Sequence, residues 1–361
     1  MIKRYVNILD FVLDIAYLVT EKGLHAEYCQ TPSSFHVQEV LDRGVLTERG
    51  EYAVLEVRKR GLDTYEALRI MSKEADIPLQ NFLVLGLKDK DSTSVQYVFV
   101  KRSLLPENFS LERGGVEARV VGFSRGKPGK SALLGNRFKI RFETSHESDH
   151  QLAKEIMRLV VEHGLPNYYG YQRFGVKRPV THLLGKAVLE ADSAFFAKML
   201  LSDTTPLESE KSVLSRTLMK FDNSLLYEKM CYEMPPLEDC GLALNKKLRN
   251  LYVDAYVSYL FNRLLTRLID SNKGSLPDTK IPTLGCDRTA YQQLLSEEKL
   301  EPRNWGLVKC WYRDSVIRPA DPSVGREGNT LEISFTLPRA GYATIVIREL
   351  FKENFLVQQI R

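Results

Sequence analysis

No stretch of this 361-residue chain is apolar over enough residues to cross a bilayer, and the most apolar early segment is broken by Asp14. Cysteine is scarce. Cys29, Cys231, Cys240, Cys286 and Cys310 are scattered, odd in number and without a C-x-x-C pair, so they are expected to be reduced, intracellular and free of metal. No internal repeat, low-complexity tract or Gly-rich phosphate loop is present. The opening residues carry no secretory pattern of charge, apolar core and small-residue cleavage site, which points to a cytoplasmic chain. Neither sign of charge dominates: a net charge of +5 permits nucleic acid as a partner without requiring it. What is present is ordinary globular material, 43% hydrophobic and 27% charged, in a length that suggests two domains.

The most informative stretch is Leu83–Phe99. Two apolar, β-branched and aromatic runs, 82–87 and 95–100, flank the polar loop Lys88-Asp-Lys-Asp91 and read as two strands with a functional connection. Asp89, set between Lys88 and Lys90, is expected to have its pKa pushed down and to remain ionised at neutral pH, as a nucleophile or base requires. A solvated turn of alternating charge is the plain reading of such a loop on its own.

In chain order, spacing predicts a helix over 9–19, a strand from Phe35 through Glu39, and a strand over 52–57. Asp63, with Glu66 three residues on, caps a helix that stops before Pro78. A basic loop, Arg125-Gly-Lys-Pro-Gly-Lys130, leads to a strand alternating Phe138, Ile140 and Phe142, where RNA or DNA backbone contact is a fair expectation. An amphipathic helix over 152–163 ends at Gly164. Residues 165–315 read as mainly helical; a long buried helix over 248–269 carries Asp254, Ser258 and Asn262 as one polar stripe. Leu331–Leu337 alternates as a strand before an apolar helical run, 345–351.

Two stretches allow competing readings. Leu165-Pro-Asn-Tyr-Tyr-Gly-Tyr-Gln-Arg-Phe-Gly175 is dense in aromatic rings, with Arg173 among them, and suits either base stacking and phosphate contact or a tightly packed hinge. His146-Glu-Ser-Asp-His150 spells H-E-x-x-H, but it stands at a helix start with no obvious third ligand. Glu147 and Asp149 are therefore read as complements of the helix dipole, not as parts of a zinc site.

Six stretches, in order, resemble the TruD family of RNA pseudouridine synthases: Phe35-x-Val-x-Glu39, Gly86-Leu-Lys-Asp-Lys-Asp-Ser-Thr-Ser-Val-Gln96, Leu134-Gly-Asn-Arg-Phe138, Gly164–Gly175, Ser258-Tyr-Leu-Phe-Asn262, and Phe335–Thr344 with Arg348-Glu-Leu. The resemblance implies an α+β fold: a circularly permuted catalytic domain with a mixed, mostly antiparallel sheet and flanking helices, interrupted by a mainly helical inserted TRUD domain. Matching motifs place the catalytic domain at 1–165 and 317–361 and the insertion at 166–316. The implied activity is isomerisation of uridine to pseudouridine in RNA, by family uridine 13 in the D arm of tRNA, without cofactor or metal. An RNA-binding or RNA-folding protein of the same fold is the alternative.

The resemblance makes Asp89 the catalytic aspartate. Phe138 matches the ring that stacks on the flipped base, and Asn136 an active-site amide. Lys88, Lys90, Gln96, Arg173 and Phe35 join them as substrate-binding candidates. The implied partner is tRNA, with no membrane and no obligate protein partner, and the compact size resembles archaeal members. One departure stands out. The family lysine six residues before Phe35 is Cys29 here: either Lys88, Lys90 or Arg348 supplies the missing charge, or the enzyme is slow or acts on a different RNA, and a buried thiol in a rearranged loop is the plain alternative.

Overall fold

The computed structural model describes residues 5–176, 178–202, 244 and 246–356. Contacts divide the chain into two compact units, Lys22–Gly164 with Arg318–Arg361, and Met1–Glu21 with Leu165–Ile317. Among the described residues no helix is long and apolar enough to cross a membrane.

The first unit is built on one nine-stranded mixed sheet. Its strands are β1 (Phe35–Leu41), β2 (Tyr52–Arg60), β3 (Leu83–Val84), β4 (Thr93–Lys101), β5 (Ser110–Arg113), β6 (Val116–Ser124), β7 (Leu133–Glu143), β8 (Ala320–Glu327) and β9 (Thr330–Pro338). They lie in the order β8-β9-β7-β1-β4-β2-β6-β5, with β3 beside β4; β1 and β4 run parallel and the other pairs antiparallel. The C-terminal strands thus complete one edge of the sheet, with β9 beside β7 and β8 outermost. Strict alternation along β1 and β7 sends Phe35, Val37, Glu39, Phe138 and Ile140 to one buried face, as period-two patterning requires.

Helix α1 (Thr64–Ala75) starts with the expected capping box: Asp63 accepts from Glu66 N at 2.8 Å and Glu66 accepts from Asp63 N at 2.7 Å. Its apolar stripe, Ala67, Leu68 and Met71, packs with Leu55, Val57, Val98, Val100, Val116 and Ala118 of the sheet. Helix α2 (Ser148–His163) ends at Gly164, whose φ of 73° favours glycine. Helix α3 (Ala343–Phe351) is buried along its whole length.

In the second unit the long helix Lys246–Ser271 is the organising element, and its polar stripe holds the tyrosine-rich segment. Asn262 accepts from Tyr169 N at 2.8 Å and donates to Tyr169 O at 3.0 Å. Thr266 meets the Tyr168 hydroxyl at 2.8 Å, and Ser258 accepts from Arg173 Nε at 3.1 Å. Tyr168, Tyr169, Tyr171 and Phe174 are all buried. Packing accounts for the segment that sequence left open between stacking and hinge.

Three expectations are corrected. The opening helix spans only Ile8–Val12, because Asp14 takes a left-handed φ of 51° and the buried Asp10 carboxylate gathers the Tyr17 and Tyr171 hydroxyls. For the same reason residues 1–21, expected with the sheet, cluster with 165–317. Cys286 and Cys310 are not both reduced thiols but a disulfide, which the 24-residue spacing hid. Cys231 and Cys240 lie outside the described residues.

Asp149, in the first turn of α2, does more than complement a helix end. Fully buried, it accepts from His25 N at 3.0 Å, Ala26 N at 3.1 Å and Thr144 Oγ1 at 2.7 Å, and lies 2.7 Å from His25 Nδ1. Desolvation alone would raise its pKa; these hydrogen bonds outweigh it and hold the carboxyl below its ordinary value. A depressed carboxylate pKa contributes stability above the unfolded value and loses it as pH falls through the folded one. Asp149→Asn is therefore expected to cost about 1–3 kcal/mol at pH 7. Urea denaturation should show the gap to wild type closing as pH falls below 3.8. An equal gap at neutral and acid pH would remove the ionised carboxylate from this role.

Candidate active site

Asp89 stands in the loop between β3 and β4, and its backbone is held from three sides. Lys59 Nζ donates to Asp89 O at 3.1 Å and Ser92 Oγ donates to the same oxygen at 2.8 Å. One residue earlier, Lys88 N donates to Thr64 Oγ1 at 2.8 Å, at the start of α1. Thr64 Oγ1 in turn donates to Gln96 Oε1 at 3.0 Å. At the far end of the loop, Gly61 N donates to Ser92 O at 3.2 Å and Gln30 Nε2 to Asp91 O at 3.3 Å. The carboxylate takes no hydrogen bond from a described residue. Both oxygens are left for a ligand.

The electrostatics differ from the expectation. Asp89 was expected to have a depressed pKa between two lysines, yet its pKa is raised, with desolvation the largest cause. The residue as a whole is exposed, yet its carboxylate is crowded by surrounding protein enough for desolvation to prevail. Lys59 is the strongest opposing influence; Asp91 and Asp63 push the pKa further up and Lys88 pulls it down. Lys88 is weak here because its ammonium is spent elsewhere. Lys88 Nζ and Glu39 Oε1 form a buried ion pair at 2.7 Å, and the other oxygen of Glu39 accepts from Tyr97 N at 2.8 Å. Lys90 is exposed and forms no ion pair with a described residue. Arg348 is buried in α3.

Strand register aligns the rest. Phe138 on β7 faces Val37 on β1, Val37 faces Ser94 on β4, and Ser94 faces Lys59 on β2. One step along, Asn136 faces Glu39, and Gln96 faces Val57. Phe138 is buried, 5.9 Å from Phe35 in a near-parallel stack and 5.6 Å from Phe335 on β9. Ser94 Oγ, Gln96 Nε2 and Asn136 Oδ1 are buried without a hydrogen-bond partner among the described residues, as are His182 Nδ1, Arg249 Nε and Asp254 Oδ1 in the helical unit; on this face a ligand can supply the missing group.

Lys88, Asp89, Gln96, Asn136, Phe138 and Phe35 thus share one face of the sheet unit, whereas Arg173 belongs to the helical unit, bound to Ser258. Cys29 is half-buried, its carbonyl accepting from Ser34 Oγ at 2.8 Å. Lys59, Thr64 and Ser94 were missed from the sequence. A signal existed for Lys59: alternation places it on the inward side with Leu55 and Val57, where a lysine needs a reason.

Lys88 is better described as structural than as an RNA contact. Lys88→Met, leaving Glu39 charged and buried, is expected to cost about 3–5 kcal/mol in urea denaturation, and adding Glu39→Met should recover part of the loss. A single variant within about 0.5 kcal/mol of wild type would make Lys88 an ordinary solvated cation.

A family model described as tRNA pseudouridine synthase D (TruD) matches residues 13–278. Two similar proteins bear the name "Probable tRNA pseudouridine synthase D". That of Thermococcus onnurineus strain NA1 is 28% identical over 420 aligned positions, covering 96% of this chain and 99% of its own. That of Archaeoglobus fulgidus is 26% identical over 401, covering 93% and 97%. The crystal structure of a Methanosarcina mazei protein assigned as tRNA pseudouridine synthase D (TruD) superposes with a TM-score of 0.71 at 22% identity, covering 96% of this chain and 98% of that one. Its likeness establishes the fold.

Proposed function

The chain belongs to the TruD family of pseudouridine synthases, and from that membership and the loop geometry we propose that it converts a uridine of tRNA to pseudouridine with Asp89 as the catalytic carboxylate. The observation that carries this reading is a carboxylate with no hydrogen bond from a described residue on a backbone tied down at Lys59, Ser92 and Thr64. Fixing the main chain while leaving the side chain free is what positioning a reacting group requires.

The isomerisation conserves atoms. The bond from the ribose C1′ to N1 of uracil breaks, the base turns, and C1′ bonds to C5; the proton at C5 leaves and N1 gains one. Attack on the ribose, attack on the pyrimidine and abstraction of a sugar proton all need Asp89 ionised and next to an extruded nucleotide. Phe138, in a row with Phe35 and Phe335, offers an aromatic surface for that base. Gln96 Nε2 and Asn136 Oδ1, buried and unbonded, supply a donor and an acceptor for a uracil edge. Uridine 13 of the D arm is the proposed target. The boundaries near 165 and 317 are proposed to separate the catalytic domain from the insertion.

Mass-spectrometric mapping of pseudouridine in tRNA incubated with the protein tests the reading. Wild type is expected to modify position 13. Asp89→Asn is expected to form none, to bind tRNA within about threefold of wild type, and to melt no lower, because a carboxylate with a raised pKa costs stability when ionised. Isomerisation by the Asn variant at the wild-type rate would remove Asp89 from the mechanism. Tight tRNA binding by wild type without pseudouridine would favour the RNA-binding reading.

A further inference from the structure

Lys59 is fully buried as the penultimate residue of β2, yet it forms no ion pair with a described residue. Its ammonium donates to two main-chain carbonyls, Leu62 O at 2.5 Å and Asp89 O at 3.1 Å. Burying an ammonium for two neutral acceptors is unfavourable, since neither returns the hydration energy that the charge gives up. The mechanical task has neutral solutions close by. Thr64 Oγ1 and Gly61 N already tie the turn after β2 to the loop through Lys88 N and Ser92 O, and Ser92 Oγ already occupies Asp89 O. Beyond its two bonds to carbonyls, what a lysine adds to that list is charge.

The charge sits where the reaction would need it. The groups that face Asp89 electrostatically are Lys59 from β2, Asp91 and Lys88 from its own loop, and Asp63 from the cap of α1. Two of these four are acids, and Lys88 is paired with Glu39, which leaves Lys59 as the chief cation. Docking RNA would bring phosphates near and exclude water, and both effects favour protonating a carboxylate.

We propose that Lys59 is a positioning residue for the reaction, its buried ammonium fixing the Asp89 main chain and supplying the positive potential that keeps the Asp89 carboxylate anionic when RNA covers it. This rests on Asp89 being the catalytic group. The charge is itself sensitive to pH: burial pushes the Lys59 ammonium down to about 8, against the support of Asp89, Asp63 and Glu66, with Lys88 opposing them. A lysine with a lowered pKa is charged below that value and neutral above it, so the potential fades as pH rises past about 8.

Single-turnover rates of pseudouridine formation in tRNA, followed from acid to pH 9 with wild type, Lys59→Met, Lys59→Arg and Asp89→Asn, test this, with thermal melts and tRNA affinities alongside. A folded Met variant is expected to lose about 10- to 100-fold in kcat with KM within about threefold of wild type, and its acid limb should move to higher pH. A purely structural lysine would leave that limb in place. The Arg variant, whose guanidinium stays charged across this range, should keep the acid limb. A folded Met variant with wild-type rate and acid limb overturns the proposal. Should the Met variant not fold, Lys59→Gln takes its place, since its amide can still donate to a carbonyl without carrying charge, and a wild-type rate and acid limb in that variant are equally fatal. Activity in Asp89→Asn would overturn the reading of the site and this proposal together; an inactive Asn variant beside a fully active Met variant overturns this proposal alone.

Discussion

The buried pair between Glu39 and Lys88 is the interaction on which the candidate site depends. One oxygen of Glu39 binds the loop lysine and the other binds Tyr97 N of β4, so a single carboxylate ties β1, β4 and the loop together. Two charges out of water are held only by close geometry, and removing either leaves the other uncompensated. The pair also determines the electrostatics next door. With Lys88 neutralised at 2.7 Å, Asp89 is governed by desolvation and by Lys59, and its pKa goes up where two flanking lysines argued for down.

The division of labour around Asp89 follows from this. Its main chain accepts from Lys59 and Ser92 and its neighbour binds Thr64, while the carboxylate takes no bond from a described residue. Orphaned polar atoms at Ser94, Gln96 and Asn136 lie on the same face, set there by the register of β7, β1 and β4. Asp149, on α2 of the same unit, has its carboxylate satisfied by four contacts. Within the sheet unit the unsatisfied groups lie on this face, where a ligand can supply the missing partners; the helical unit has its own at His182, Arg249 and Asp254.

The helical unit solves a different problem. Its tyrosine-rich segment is irregular, and irregular backbone in a core needs partners for its N–H and C=O groups. Asn262 supplies both for Tyr169, while Thr266, Ser258 and the buried Arg313 take up the neighbouring groups; the Arg313 guanidinium lies 4.1 Å from the centre of the Tyr169 ring. The aromatic density that suits base stacking or a packed hinge in sequence is used here to fill a core.

Local signals carried most of what sequence determined. Alternation marked β1, β7 and β9, and a continuous apolar, β-branched run marked β4; Asp63 and Glu66 marked the start of α1; and the ordered motifs marked the family and the loop of Asp89. These depend on neighbours a few residues apart, which a linear chain displays. Tertiary structure alone decided that Lys88 pairs with Glu39 49 residues away, that Lys59 reaches Asp89 across 30, and that Asp10 draws the opening segment to Tyr171 across 161. It likewise decided that Cys286 meets Cys310. Whether a charge meets water, a carbonyl or an opposite charge depends on which distant strands become adjacent, and that adjacency sets desolvation and pairing together; no spacing along the chain encodes it.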